Sequence, residues 1–371
     1  MPEDAQRGAR AGRGAPATVA FVLPSYDGGG AQRVLLTLLR HIDRSRFRPE
    51  LIVFSADGPL AADLPDGISP HVLDRPRLRA ALPALFACLR RVRPDVVFST
   101  MGYVNLALLA MRWALPGRSR LVLREPNMPS ISLPTLNHGG MIATGYRLLY
   151  PRADAIVCQS SLMMRELVED YGVPASLVRH LANPVDEARL RSAIDRLERA
   201  LGPGRRYVAC GSLIHQKGFD RLLPLFVEMP AQDRLTILGA GKEDAALRAQ
   251  CAQLGLDERV HFAGFTRRPW LWFAAADAVL VPSRWEGQSN VALEALACGA
   301  PVIATPESGG IDEVAKAASS GAVTIAEIGA PFVAAMQSVK ATQVEALRPS
   351  LLPAVHALDE VMERFHRMLD G

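Results

Sequence analysis

Glu286 and Glu294 stand eight residues apart in the stretch PSRWEGQSNVALEALACGAPVIAT. Between them Gly287, Gln288, Ser289 and Asn290 lead from a loop into a helical pattern. Amides at a helix start attract anions, and a carboxylate is a good double acceptor for vicinal hydroxyls. The segment therefore suits a ligand that carries both phosphate and sugar hydroxyls. A paired-carboxylate acid/base site is one reading of the glutamates. Capping and solvation of an ordinary helix end is the plainer one.

Three more glycine-rich turns follow expected strands. Residues 24–33 read PSYDGGGAQR, placing Gly28, Gly29 and Gly30 before a helix that starts near Ala31. Glycines let backbone N–H groups approach an anion closely, and the helix dipole favours it. The spacing is not the dinucleotide G-x-G-x-x-G. Residues 211–220 read GSLIHQKGFD. Gly211 and Ser212 end a strand there, and Lys217 precedes a helix beginning near Gly218, where its ammonium can meet a phosphate. Residues 238–242, LGAGK, bring Gly239 to a fourth such turn, with a weaker signal. No D-x-D-like pair accompanies these loops, and Asp63 and Asp66 read as part of a remote turn. A diphosphate leaving group held without metal must be met by Lys, Arg and amides.

The elements that would position these groups alternate. Strands are expected at 18–23, 51–54, 95–99, 121–123, 155–159, 207–211, 235–238, 278–281 and 301–304, with amphipathic helices such as 33–42, 78–92 and 244–254 between them. Alternation of this kind builds parallel sheets covered by helices on both faces. The run pauses at about 186–206, where Asn183-Pro184 marks a turn and Leu201-Gly202-Pro203-Gly204 a break. This predicts a tail at 1–16, one domain at 17–198, a second at 199–350, and a C-terminal helical segment at 351–371 able to cross back to the first domain. After Val314 the pattern weakens, and 352–368 reads as one amphipathic helix.

The 371 residues suffice for two domains, each with its own core. No apolar run reaches the roughly 18–20 residues of a membrane span. The polar, Arg-dotted N-terminus lacks an apolar signal region, so a cytoplasmic protein is expected. Five scattered cysteines form no disulfide framework or zinc motif. A net charge of +4 suits anionic partners and is too small to argue for nucleic acid.

Taken together, these motifs resemble the family-4 retaining glycosyltransferases of the GT-B fold. The resemblance rests on Gly28-Gly29-Gly30-Ala31-Gln32-Arg33, Asn183-Pro184-Val185-Asp186, the Gly211–Asp220 stretch with Lys217, and Glu286-Gly287 with Leu293-Glu294-Ala295. Weaker echoes are Cys158-Gln159-Ser160-Ser161, Gly239-x-Gly241 and Gly264-Phe265. It implies two Rossmann-like domains facing a cleft, a UDP- or GDP-sugar donor, no cofactor and no metal. By the same resemblance Lys217 would neutralise the donor diphosphate, Glu294 would hold the ribose, and Glu286 would contact the sugar. Amides of Gln288, Ser289 and Asn290 would bind oxygens, the Gly28–Gly30 loop would close over the diphosphate, and Gly264-Phe265 would flank the base. The leaving phosphate would help deprotonate the acceptor during front-side attack. The acceptor would be a glycan or a lipid-linked acceptor in cell-surface polysaccharide or glycolipid assembly.

Two departures from the family pattern stand out. Ser212 occupies a position that is commonly Arg. The loop 123–127 carries Arg124, Glu125 and Asn127 where many members have a His, so these residues, with Asn183, are candidates for sugar or acceptor contact. The Arg-flanked helix 78–93 is either a helix covering the sheet or a weak docking element for the anionic inner face of a membrane. The rival functions are a non-catalytic GT-B protein that binds sugar nucleotide, and another GT-B enzyme such as an inverting transferase or an epimerase.

Overall fold

In the segment ATVAFVL, alternate side chains serve two different cores. Val19, Phe21 and Leu23 face one layer of helices, and Ala20 and Val22 face the other. Period-two alternation between two apolar layers is what a doubly covered parallel strand requires. The computed structural model describes residues 15–115, 117, 119–135, 138–197, 204–342 and 346–371. The tail expected at 1–16 falls almost wholly outside this set, as does the break expected at 198.

The first sheet contains β1 (Ala17–Leu23), β2 (Phe47–Val53), β3 (His71–Val72), β4 (Val96–Ser99), β5 (Arg120–Arg124), β6 (Ala155–Cys158) and β7 (Val178–His180), in the order β3-β2-β1-β4-β5-β6-β7. The second contains β8 (Arg206–Cys210), β9 (Arg234–Leu238), β10 (Val260–Gly264), β11 (Ala278–Val281), β12 (Val302–Ala304) and β13 (Val323–Ile325), in the order β10-β9-β8-β11-β12-β13. Every pairing between named strands is parallel. The fold is GT-B: two Rossmann-like domains, each with its own pair of cores.

Several elements differ from the sequence reading. β3, β7, β10 and β13 lie at or next to sheet edges, where two to five residues carry little periodicity. The stretch after Val314 is a full unit, since β13 pairs with β12 and the helix Ala330–Ser338 follows. The expected helix at 352–368 spans Leu358–Asp370. Residues before it are committed elsewhere: the Val185 amide donates to the His356 carbonyl at 3.0 Å, and Val185 forms a bridge with Ala357. The chain changes domain before 198, because Val185 and Leu190 pack in a core of the second domain. It returns at the C-terminus, where Val361, Phe365 and Leu369 join a core of the first sheet. There Phe365 meets Phe98 edge-on at 5.2 Å.

The helix Leu78–Val92 covers the sheet. Its apolar residues Ala81, Leu85, Phe86 and Leu89 are buried in the core. Arg90 and Arg91 remain at the surface, bonded to the Ala114 carbonyl and the His71 ring. The helix offers charge but no apolar face for a bilayer.

Candidate functional site

In both sheets the strand order reverses beside the first strand, between β1 and β4 and again between β8 and β11. Ligands of open α/β sheets bind at the carboxyl ends of strands at such points. The two points face each other across a cavity of about 690 Å³. Gly28, Gly29 and Gly30 follow β1, Met101 follows β4, Gly211, Ser212 and Lys217 follow β8, and Glu286 to Glu294 follow β11; all these segments contribute to the wall.

Lys217 and Glu286 meet there, with Nζ 2.5 Å from Oε1. Ser283 Oγ donates to the same oxygen at 2.8 Å. The two loops are bolted together around this pair. The Arg284 amide donates to the Gln216 carbonyl at 2.7 Å, Gln216 Nε2 donates to the Trp285 carbonyl at 3.0 Å, and the Arg284 guanidinium grips both oxygens of Asp220 at 2.7 Å. Gly309 supports Glu286 from below. Its φ is +64°, and a Cβ there would overlap the Glu286 carbonyl oxygen and stand 2.7 Å from the Gly287 oxygen.

Glu294 lies in the second turn of the helix Asn290–Ala297. Among the described residues nothing hydrogen-bonds to its carboxylate, and burial raises its pKa above the usual carboxyl range, against the pull of Arg33. Arg33 sits across the cleft in the helix Gly30–His41 and also lines the cavity. Its guanidinium makes no hydrogen bond or ion pair among the described residues. Burial pushes the Cys210 thiol beside them up to about 12, with Glu294 adding to the effect and Arg33 and Lys217 opposing it. The cavity thus holds an unbonded cation and an unbonded carboxylate, next to a lysine paired with a glutamate.

A polar network joins the domains across the floor. Arg124 donates to Thr100 Oγ1 at 2.9 Å and to Asn183 Oδ1 at 2.7 Å. Asn183 Nδ2 donates to Asn290 Oδ1 at 2.7 Å, and the Asn183 amide donates to Gln288 Oε1 at 2.8 Å. Burial lowers the Arg124 pKa to about 10. The side chains of Gln288 and Asn290 are thereby spent on the opposite domain. Ser289 caps its helix by accepting from the Ala292 amide at 3.4 Å. What this segment can offer a ligand is its first helical amides, which have no intrahelical acceptor.

The two halves of the chain match two family descriptions. Residues 28–189 match "Glycosyltransferase Family 4", and residues 204–340 match "Glycosyl transferases group 1". The chain belongs to the family-4 glycosyltransferases. An N-acetylgalactosamine-N,N'-diacetylbacillosaminyl-diphospho-undecaprenol 4-alpha-N-acetylgalactosaminyltransferase from Campylobacter jejuni is 27% identical, over 78% of this chain and 81% of that protein. The lipopolysaccharide core biosynthesis mannosyltransferase LpsB of Rhizobium meliloti is 31% identical, over 44% of this chain and 48% of its own length. Among solved structures, Anabaena Alr3699/HepE in complex with UDP and glucose shares the fold, with a TM-score of 0.73 at 20% identity. That likeness covers 95% of this chain and 99% of HepE.

In this glycosyltransferase the candidate residues are placed unequally around the cavity. Phe265 lines the cavity, where its ring abuts Gly28, but Gly264 does not. Gly287 lies outside the wall as well, wedged between the Pro126 carbonyl and Gln159. Gly239 packs on the Gly211 backbone, so its glycine is required by loop-on-loop contact as much as by any ligand. Asn127 lines the cavity and uses its Oδ1 on the Met128 amide at 2.9 Å. Asn183 and Arg124 also reach the wall.

Glu125 does not reach it. Its carboxylate is buried and accepts from Tyr146 at 2.9 Å and Tyr150 at 2.5 Å, so a sugar-contacting role is excluded. Burial pushes its pKa from the usual 4.5 up to about 7, and the tyrosine hydroxyls oppose this. The fold thus prefers the protonated carboxyl. Its contribution is full below about pH 4.5 and is lost as the pH rises through about 7. Glu125→Gln should flatten the fall in melting temperature across that window. A melting profile unchanged by the substitution would remove Glu125 as its cause.

Sequence reasoning missed Arg33 and Gly309. Arg33 ends the quoted glycine motif, yet its role depends on which domain it faces. It brings a guanidinium to the cavity wall, on which Ser212 carries no charge.

Proposed function

We propose that this enzyme transfers a sugar from a UDP- or GDP-sugar to a glycan or lipid-linked acceptor in cell-surface polysaccharide or glycolipid assembly, with retention at the anomeric carbon and without a metal. The observation that carries the reading is that Lys217 from one domain and the unbonded Arg33 from the other line one cavity together with the unbonded Glu294 and Phe265. Lys217, Arg33 and the first helical amides are the groups on this wall that would meet a diphosphate. The acceptor class follows the Campylobacter jejuni relative, and the UDP alternative follows the HepE complexes.

In this scheme the bond from the sugar's anomeric carbon to the diphosphate breaks as the acceptor oxygen bonds to the same face. The acceptor's proton passes to a departing phosphate oxygen. Lys217, Arg33 and the amides of Asn290 and Val291 take up the growing negative charge. Glu286, already tied to Lys217 and Ser283, orients the sugar hydroxyls, and Glu294 accepts from the ribose hydroxyls.

A melting screen in EDTA against UDP, GDP and their sugars tests the donor. Binding should raise the melting temperature by mass action. No rise with any of them would sink the donor reading. With an α-linked donor, a β-linked product seen by proton NMR would overturn retention.

A further inference from the structure

Nine large apolar side chains are exposed among the described residues, and six of them fall between Tyr103 and Leu162 in the first domain. Trp113, Met141 and Leu148 are 82%, 70% and 65% exposed. They belong to adjoining elements. The helices Gly102–Ala110 and Gly139–Leu149 pack directly, with Leu106 in contact at Gly145. Gly139 rests on the Leu133 carbonyl, which ties in the short helix Pro129–Ser132 carrying Ile131. Arg112 pairs with Asp154 at 2.8 Å, fixing the turn of Trp113 beside the end of the second helix, where Leu148 stands.

The sequence of this stretch is one-sided in charge, although Arg112, Arg120 and Arg124 are spent on Asp154, on the Met368 and Leu369 carbonyls, and on Thr100 and Asn183. Residues 101–153 hold six arginines and a single carboxylate, Glu125. That carboxylate is buried under Tyr146 and Tyr150. Arg147 and Arg152 are exposed. The acidic groups around the stretch are Asp154, already paired, Glu166, which accepts from the Ser130 amide, Asp170 near Tyr171 and Asp27 near Tyr103.

We propose that this face docks on an anionic lipid bilayer. Exposed Trp, Met and Leu beside arginines suit the interface of an acidic membrane, where apolar tips insert and guanidinium groups meet lipid phosphates. A second copy of the chain fits poorly, because self-pairing would set arginine against arginine. No described helix is long and apolar enough to cross a membrane, so the contact is superficial. The face also leads into the cleft: Met101, which opens the helix Gly102–Ala110, lines the cavity. Delivery of a lipid-linked acceptor along this route rests on the acceptor reading above; docking itself does not.

Flotation with phosphatidylcholine vesicles, with and without phosphatidylglycerol, tests it. The full chain should float with the phosphatidylglycerol vesicles and stay behind with phosphatidylcholine alone. The triple variant Trp113→Ser, Met141→Ser, Leu148→Ser should lose about tenfold or more of that partitioning. So should Arg147→Glu with Arg152→Glu. Both should keep the wild-type melting shift with UDP or GDP. Arg90→Glu with Arg91→Glu should float normally. A wild type that ignores phosphatidylglycerol, or a triple variant that still floats, overturns the proposal. So does a wild-type dimer in light scattering that the triple variant dissolves, which would make the face a self-association surface. A failed donor reading shows separately, as no melting shift in the wild type.

Discussion

Lys217→Ala should cut sugar transfer by about a hundred- to a thousandfold while the protein still folds. Removing one preorganised electrostatic donor from an active site commonly costs that much. Here the substitution has a second effect. Lys217 is the charged partner of Glu286 at 2.5 Å, so its loss leaves that carboxylate held by Ser283 alone. An unneutralised Glu286 would then face a donor that already carries negative phosphates. The fall should therefore appear in kcat and in donor affinity together. The fold should survive, because the loop is anchored by Arg284, Asp220 and Gln216 and not by the lysine. Glu286→Gln in the Lys217→Ala background should recover donor affinity but not kcat. Steady-state kinetics with a melting curve checks each point, and a Lys217→Ala enzyme of near-normal rate would remove the lysine from the chemistry.

The second large effect is expected at a position with no functional group. In Gly309→Ala a methyl would collide with backbone at Glu286 and Gly287 rather than with a side chain that can swing away. Alanine at φ +64° adds strain of about 1–3 kcal/mol before any collision is counted. The loop of Glu286 must move, and a displacement near 1 Å in a positioning group can cost about a hundredfold in rate. Gly321→Ala is the matched control. Its φ is +81° and the space around it is open, so it should show the strain in melting temperature and leave kcat alone. Equal kcat losses in the two variants would refute the buttress.

The parts of the site that could be read from sequence are those carried by one contiguous motif. Lys217 sits beside its glycines, and Glu286 and Glu294 flank one helix start, so a local pattern suffices to mark them. Arg33, Asn183 and Gly309 acquire their roles only when segments far apart in the chain meet. Asn183 reaches Gln288 and Asn290 across 105 and 107 positions. The helix Leu78–Val92 misleads for a related reason. An apolar stripe with arginines at its ends describes a helix lying on a sheet as well as one lying on lipid. Which it is depends on whether the sheet is there to cover. The apolar residues that do reach solvent, Trp113, Met141 and Leu148, have no periodicity that would single them out. Ser212 carries no charge, and Arg33 of the other domain lines the same cavity, a pairing that no local pattern could reveal.

The bridge between Val185 and Ala357 has a mechanical consequence. The chain passes between its domains twice, and at that bridge the outgoing and returning passages run side by side. His356 adds a second tie, with its ring nitrogen 3.1 Å from the Asn183 carbonyl. One tether would let the domains swivel freely. Two laced together resist torsion and leave rocking about their common line as the soft motion. The cleft should therefore open as a jaw does, with the Gly28–Gly30 loop lifting from Asn290 and Phe265 while the tethers hold their register. A jaw returns its teeth to the same place at every bite, which is what a site assembled from both sides needs.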